Sequence, residues 1–502
     1  MNWAKLLSTK RVSELSTECL ATEAEAIKTQ FTEARTPFER DADQIIYSTQ
    51  FRRLQDKTQV IPFPEYDFVH TRLTHTLEVA SVGRSLGRLA GRLILKEESI
   101  QDLPEGFNEG DVADVIYAAC LAHDIGNPPF GHSGEDSISH YMSNANLSFT
   151  GSNEDIKRIR DLTKFEGNAN GFRIMARCRN KVLDPTCATL GAFSKYPRES
   201  FLKEESLLTP AQNVSKSQTK YGFFQTERDI FKQVAEELGL IPCNNFSNED
   251  YSWKRHPFAF LMEAADDICY KMIDFEDGCR LGLINFNEVY EEIPIGKEKN
   301  SIKHIDRSPR EILLEIAKID NSFDPNYSQK VSKRGRAELS YLRSKTINVL
   351  THLAYQVFEK NYHSIMDGSY DQALVDDISN DIVYENLSAM SHLIKKYVYN
   401  YPPVLESEAA GFKVIGGLLR AFADTASICQ SCGEVKNAEQ KKLESLLPEK
   451  YRPVTESIPG TLDFEIQHKR YLDIIDYISG MTDGFAISLY RKIEGIALPE
   501  IR

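Results

Sequence analysis

Long apolar runs are what this 502-residue sequence most plainly lacks. No stretch approaches the ~18 residues of a membrane span. Val115 to Ala122 is among the longer ones, and it stops at His123-Asp124. The N-terminus, Met-Asn-Trp-Ala-Lys-Leu-Leu-Ser, has no apolar core followed by a cleavage site, so it does not read as a signal peptide. Cysteine is sparse and odd in number: nine, scattered, with one C-x-x-C at Cys429 and Cys432 and no second pair or nearby histidine. That pattern argues for reduced, packed thiols rather than a disulfide framework or a metal knuckle, and the expected compartment is the cytoplasm. Positive charge is also short. Sixty Lys and Arg against 74 Asp and Glu leave a net charge of −14, which disfavours a protein coated in nucleic acid or anionic lipid while allowing a local basic patch. Gly (27) and Pro (20) are at ordinary levels, which excludes collagen-like and linker-dominated chains. With 41% hydrophobic and 27% charged residues, a mostly disordered chain is excluded as well.

What is present is helical periodicity. After Asp111, apolar residues fall at Val112, Val115, Ile116, Ala119 and Cys120, three and four apart. From Pro257, suited to a first helical turn, the chain runs through Phe258, Phe260, Leu261, Ala264, Ala265 and Ile268 to Met272 and Ile273. Leu339, Leu342, Thr346, Leu350, Leu353 and Val357 repeat the pattern. Alternating strand patterns are few and short, so an all-α fold is predicted. Gly-, Ser- and Asn-rich pieces near 143–154, 210–222, 243–252 and 319–334 read as loops or hairpins inserted in the helical body.

Four of the eleven histidines, His70, His75, His123 and His132, fall within one short span. His123 and Asp124 stand together at the end of an apolar helix, and Pro128 and Pro129 prevent that helix from continuing. Adjacent side chains diverge by about 100° inside a helix, but at its end both can turn toward one ion. Asp266, Tyr270 and Asp274, spaced four and four, share a face of an otherwise apolar helix. Carboxylates on such a face need a cation or a hydrogen-bonding partner. Taken singly, a His-Asp dipeptide is a chance event, His75 a structural histidine, and Asp266-Asp267 a solvated face. Together they form a set of imidazoles and carboxylates without thiolate, suited to Mn²⁺, Mg²⁺, Fe²⁺ or Ni²⁺ with open positions. A closed structural zinc site would more often include cysteine.

These motifs resemble the HD superfamily of metal-dependent phosphohydrolases, and more closely its deoxyguanosinetriphosphate triphosphohydrolase (dGTPase) family. The matching stretches are Arg35-Thr-Pro-Phe-Glu-Arg-Asp41, Phe51-Arg-Arg-Leu-Gln-Asp-Lys-Thr-Gln-Val60, Thr71-Arg-Leu-Thr-His-Thr76 and Ala122-His-Asp-Ile-Gly-Asn-Pro-Pro-Phe-Gly-His132. Phe165-Glu-Gly-Asn168, Glu263-Ala-Ala-Asp-Asp-Ile-Cys-Tyr270 and Gly411-Phe-Lys-Val-Ile415 continue them in the family's order. The resemblance implies an N-terminal arm (1–45), an HD phosphohydrolase core (46–290) and a C-terminal helical region (291–502). It implies His75, His123, Asp124 and Asp266 as metal ligands, Asp266 being preferred to Asp267 because the family's ligand precedes a Tyr by four. Tyr270 and Asp274 would contact the sugar, and Gln59 its 3′-hydroxyl. Tyr270 would stand as a wall against a 2′-hydroxyl. His132, oriented by Glu135, would be the general acid at the leaving 5′-oxygen.

A triphosphate entering an acidic protein needs local cations. Arg72, fork-shaped for phosphate, is the first candidate; Arg53 and Lys220 follow. Glu408 is the candidate for a guanine edge. The basic residues Lys330, Lys333, Arg334, Arg336, Arg343 and Lys345 suit a nucleotide phosphate, single-stranded DNA, a neighbouring subunit or a solvated face equally. The expected activity is hydrolysis of dGTP, or another dNTP, to deoxynucleoside and inorganic triphosphate with Mn²⁺ or Mg²⁺. The rivals are another HD phosphohydrolase (nucleotidase or phosphodiesterase) and a nucleotide- or single-stranded-DNA-binding protein of the same fold. The resemblance further implies a homo-oligomer, a hexamer among the options, with single-stranded DNA as a candidate effector.

Overall fold

The computed structural model describes residues 1–15, 35–62, 67–145, 147, 151–177, 183–202, 216–243, 250–295, 303–324, 336–427, 437–452 and 464–497. The fold is all-α, with one two-stranded antiparallel sheet, β1 (Tyr290–Ile295) and β2 (Lys303–Arg307), among the described residues. The helices that build the cleft are α1 (Pro37–Tyr47), α2 (Arg72–Glu97), α3 (Glu109–Ala122), α4 (His132–Asn144), α5 (Cys187–Phe193) and α6 (Pro257–Arg280). Further along come α7 (Arg336–Lys360), α8 (Pro402–Ser427), α9 (Phe464–Ser479) and α10 (Asp483–Ile493). The periodic stretches after Asp111, Pro257 and Leu339 are α3, α6 and α7.

Small residues set the spacing of α2 and α3. A Cβ on Gly87 would lie 2.6 Å from the Ala113 Cα, and one on Gly91 would lie 2.8 Å from the Glu109 Cα. Only hydrogen fits there, so the two backbones touch. The residue order makes the pair antiparallel, which brings the start of α2 to the end of α3. Helix α6 crosses both; its apolar residues from Phe258 to Phe275 are buried almost without interruption. The N-terminal segment packs into the same core, where Trp3 stacks on Phe258 and its Nε1 donates to the Tyr362 hydroxyl at 2.7 Å.

The buried apolar residues form two clusters that do not follow chain order. The main one runs from Trp3 to Val398. The second joins Phe130, Ile138, Met142, Leu162 and Phe165 to the C-terminal helices through Ile415, Leu418, Phe422, Leu472 and Ile475. Buried charge strengthens that join: Arg173, in a fully buried position, donates to Glu227, Asp473 and Asp476. Helix α4 thus faces the second core, while α2, α3 and α6 belong to the first.

Candidate active site

Helix α2 begins sharply because Thr71 caps it, trading hydrogen bonds with Thr74. Its first turn carries Arg72 and His75, both buried. At the end of α3, His123 Nδ1 lies 2.7 Å from the Cys120 carbonyl. That bond places the ring proton on Nδ1 and leaves the Nε2 lone pair free; Nε2 is buried without a hydrogen-bond partner. Burial holds the His123 imidazolium below its ordinary range, so the ring is neutral at neutral pH, as a ligand must be.

Asp266, midway along α6, faces both rings. Its Oδ1 lies 3.2 Å from His75 Nε2 and 3.5 Å from His123 Nε2. One donor atom from each of the three residues falls within 4.8 Å of the others, a spacing that a first-row or magnesium ion can bridge. Two imidazole nitrogens, one of them the orphaned His123 Nε2, and a carboxylate fit a divalent ion. Asp124 borders this group: its Oδ2 lies 3.6 Å from His123 Nε2 and accepts from Arg72 Nη1 at 2.8 Å, while its Oδ1 accepts from Asn127 Nδ2 at 2.5 Å. Burial pushes the Asp124 carboxyl up, but Arg72 and the imidazoles outweigh it and hold it well below the usual carboxylate range. Asp267 does not face the histidines, and burial raises its carboxyl to about 6. His70 is also outside the group. It is clamped by Asp277 at 2.8 Å and Glu78 at 3.5 Å; burial opposes its proton, but these carboxylates prevail and raise its pKa to about 9.

The opposite wall starts at a left-handed turn. Phe130 (φ 62°) and Gly131 (φ 57°) reverse the chain just before α4, and α4 opens with His132. Its Nδ1 lies 2.8 Å from Glu135 Oε2, whose partner oxygen accepts from the Gly167 amide at 2.8 Å. The Glu135 hydrogen bond raises the His132 pKa. Burial disfavours the Glu135 carboxylate, yet His132 reverses the balance and lowers its pKa. The ring is exposed into the cleft, with Nε2 free to face a ligand.

Both walls line one cleft of about 620 Å³. Among residues singled out in the sequence, it gathers Gln59, Arg72, His75, His123, Asp124, His132, Glu135, Lys220, Asp266, Tyr270 and Glu408. Gln59 presents a buried Oε1 with no partner. Lys220 pairs with Glu166 at 3.1 Å. Two candidates lie elsewhere. Arg53 donates to the Gly480 carbonyl at 2.6 Å, outside the lining, and Asp274 is buried behind Tyr399, which donates to it. Burial raises the Asp274 carboxyl to about 7. The Tyr399 hydroxyl also lies 2.6 Å from that of Tyr270.

Sequence reasoning missed Lys195, Tyr196, Lys216 and Tyr399, which also line the cleft. Lys195 matters most: its ammonium lies 2.5 Å from Asp266 Oδ2. Burial disfavours that charge, but Asp266 overcomes it and raises the pKa. The available signal was a lysine two residues beyond the wholly buried α5. Of the basic stretch, Lys330, Lys333 and Arg334 lie outside the described residues, as does the side chain of Arg336 and the Cys429–Cys432 pair. Arg343 is paired with Glu78 and Glu276, and Lys345 with Asp320.

Comparison with known proteins agrees with this geometry. Residues 72–175 match the HD domain, and residues 378–492 match the phosphohydrolase-associated domain. A Synechocystis protein named deoxyguanosinetriphosphate triphosphohydrolase-like protein is 38% identical, covering 99% of this chain and 100% of its own length. A protein of the same name from Pseudomonas aeruginosa is 34% identical, over 93% of this chain and 95% of the relative. A deoxyguanosinetriphosphate triphosphohydrolase from Klebsiella pneumoniae is 29% identical over 91% and 94%. No helix among the described residues is long and apolar enough to cross a membrane.

Proposed function

Because the chain belongs to the deoxyguanosinetriphosphate triphosphohydrolase-like family of HD-domain, metal-dependent phosphohydrolases, we propose that it hydrolyses dGTP in preference to other dNTPs, releasing deoxyguanosine and inorganic triphosphate. The observation that carries the reading is the shared cleft: His75, His123 and Asp266 converge at one point, and the His132–Glu135 pair opens onto the same space.

His75, His123 and Asp266 would hold the ion, with Asp124 at its edge; Mn²⁺ or Mg²⁺ is our choice. Such an ion polarises a phosphoryl oxygen and offsets phosphate charge. The chain's own residues do the rest. Arg72, Lys195, Lys216 and Lys220 line the cleft and neutralise the phosphate chain. His132 keeps a proton on Nε2 while Glu135 holds Nδ1, so the ring can protonate the departing 5′-oxygen. The orphaned Gln59 Oε1 suits a 3′-hydroxyl donor. Tyr270, braced by Tyr399 and through it by Asp274, crowds C2′ against ribose. Glu408 faces the base. Arg53, engaged with Gly480, stands outside the cleft lining.

The test is a panel of the four dNTPs and GTP, each with Mg²⁺ and Mn²⁺, read by ion-exchange chromatography. Deoxynucleoside plus triphosphate, fastest from dGTP, is the expected result. Monophosphate plus pyrophosphate would overturn the reaction, and equal rates on all dNTPs would overturn the base preference. A homo-oligomer, a hexamer among the options, and activation by single-stranded DNA belong to the same proposal. Light scattering and turnover with added oligonucleotide test them.

A further inference from the structure

The turn that presents His132 is held from the far end of the chain. Asp483, the first residue of α10, is 1% exposed. One carboxylate oxygen accepts from the Thr58 amide at 2.9 Å, and the other accepts from the Phe130 amide at 3.1 Å. Lys57, 3% exposed, spans the same gap: its Nζ donates to the Asn127 carbonyl at 2.5 Å and to the Ser479 carbonyl at 2.8 Å. The Lys57 carbonyl in turn accepts from the Arg72 amide at 3.2 Å, at the start of α2. Residues 57–58 therefore sit between the C-terminal helices and both walls of the cleft.

Phe130 gives this arrangement its purpose. A bulky residue at φ 62° is strained, and it persists only where its surroundings fix it from several sides. Here its amide is fixed by Asp483, and its ring is seated against Gly411 in the second core, where a Cβ on that glycine would collide with it. Two of the bonds made by Lys57 and Asp483, to the Asn127 carbonyl and the Phe130 amide, end on the Asn127–His132 backbone, and those to the Ser479 carbonyl and the Thr58 amide anchor the pair to the C-terminal helices and to residues 57–58.

We propose that Lys57 and Asp483 are positioning residues, a polar latch through which the C-terminal region sets the Asn127–His132 turn and so aims His132. The consequence for turnover rests on the proposed function; the latch itself does not. The test compares Asp483→Asn and Lys57→Met with Leu472→Ala, a substitution in the second core that destabilises the same region without touching the latch. Asn has the shape of Asp but only one acceptor oxygen, so it must leave an amide unpaired.

Amide hydrogen exchange is read by mass spectrometry on the nucleotide-free protein, for peptides spanning 124–135. Exchange there should rise about tenfold or more in both latch variants and stay within about twofold of wild type in Leu472→Ala. With Mn²⁺ and dGTP, the latch variants should lose about 10- to 100-fold in kcat, with KM changed by less than about threefold. Wild-type exchange in both latch variants, or an equal rise in Leu472→Ala, would overturn the proposal. Should Asp483→Asn fail to fold, Lys57→Met carries the comparison alone. The exchange result stands whether or not wild type cleaves dGTP, so loss of the functional reading is distinguishable from loss of the latch.

Discussion

The wall bearing His75, His123 and Asp266 is built on long helices whose backbones touch, whereas the wall bearing His132 and Glu135 hangs on a strained turn tied to helices more than three hundred residues away. In the first, position follows from helix packing alone, and each ligand arrives with its orientation set by a helix end or a helix face. In the second, the His132 ring is exposed and owes its aim to a hydrogen bond, a glycine and the proposed polar latch. The two walls should therefore fail differently when altered: one by losing its ion, the other by losing rate while the ion stays.

The largest effect should come from Asp266→Ala. Turnover should fall by about 10³-fold or more, since the charge stabilisation at the phosphate is worth several kcal/mol. Mn²⁺ titration calorimetry should show affinity falling by at least about 100-fold. Unchanged affinity would mean that the ion is held elsewhere. His132→Ala should cut kcat by about 10²- to 10⁴-fold while leaving Mn²⁺ affinity within about twofold. Coupled loss of both would erase the distinction between the walls.

Glu135→Gln sharpens the second wall. A general acid works while protonated, and Glu135 raises the His132 pKa, so it extends activity upward in pH. Its removal should move the alkaline limb of kcat/KM to lower pH; an unmoved limb would remove His132 from the acid's role. Gly411→Ala, which pushes a methyl into the Phe130 ring, should cost about 1–3 kcal/mol by thermal melting. It should lower kcat more than it raises KM.

The smallest effect on turnover should come from His70→Gln, on the first wall. His70 has a folded pKa of about 9 against an ordinary 6.5. Its contribution is complete below about pH 6.5 and is lost as pH rises through about 9. The variant should thus melt lower than wild type at pH 6 by about 2 kcal/mol and converge with it above pH 9.5, with rate changed less than about twofold. A gap that persists at high pH would assign the loss to packing instead.

The unequal construction of the walls explains what could be read from the sequence. His123 and Asp266 lie in stretches that helix periodicity marks, but the set with His75 is legible through the family motifs, and the preference for Asp266 over Asp267 comes from the Tyr spacing of that resemblance. The all-α fold follows from the same periodicity, seen in α3, α6 and α7. Lys195 was hidden because nothing local marks it: only the folded chain carries the end of α5 to the middle of α6. Arg53 was misplaced for a related reason. A cation inside a motif can serve a carbonyl as readily as a phosphate, and Gly480 is 427 residues away. Asp274 keeps the predicted helix face, yet the chain returning at Tyr399 stands between it and the cleft. In each case a partner remote in sequence decides the outcome.

The ammonium of Lys195 against Asp266 bears on how the protein treats its ion. In small zinc-organised domains the ligands repel one another when stripped, and a chelator unfolds the chain. Here the Lys195 ammonium already neutralises Asp266, so EDTA should leave the melting transition sharp and nearly in place. An ion held there would then be an exchangeable passenger rather than a structural rivet, one divalent species replacing another without refolding.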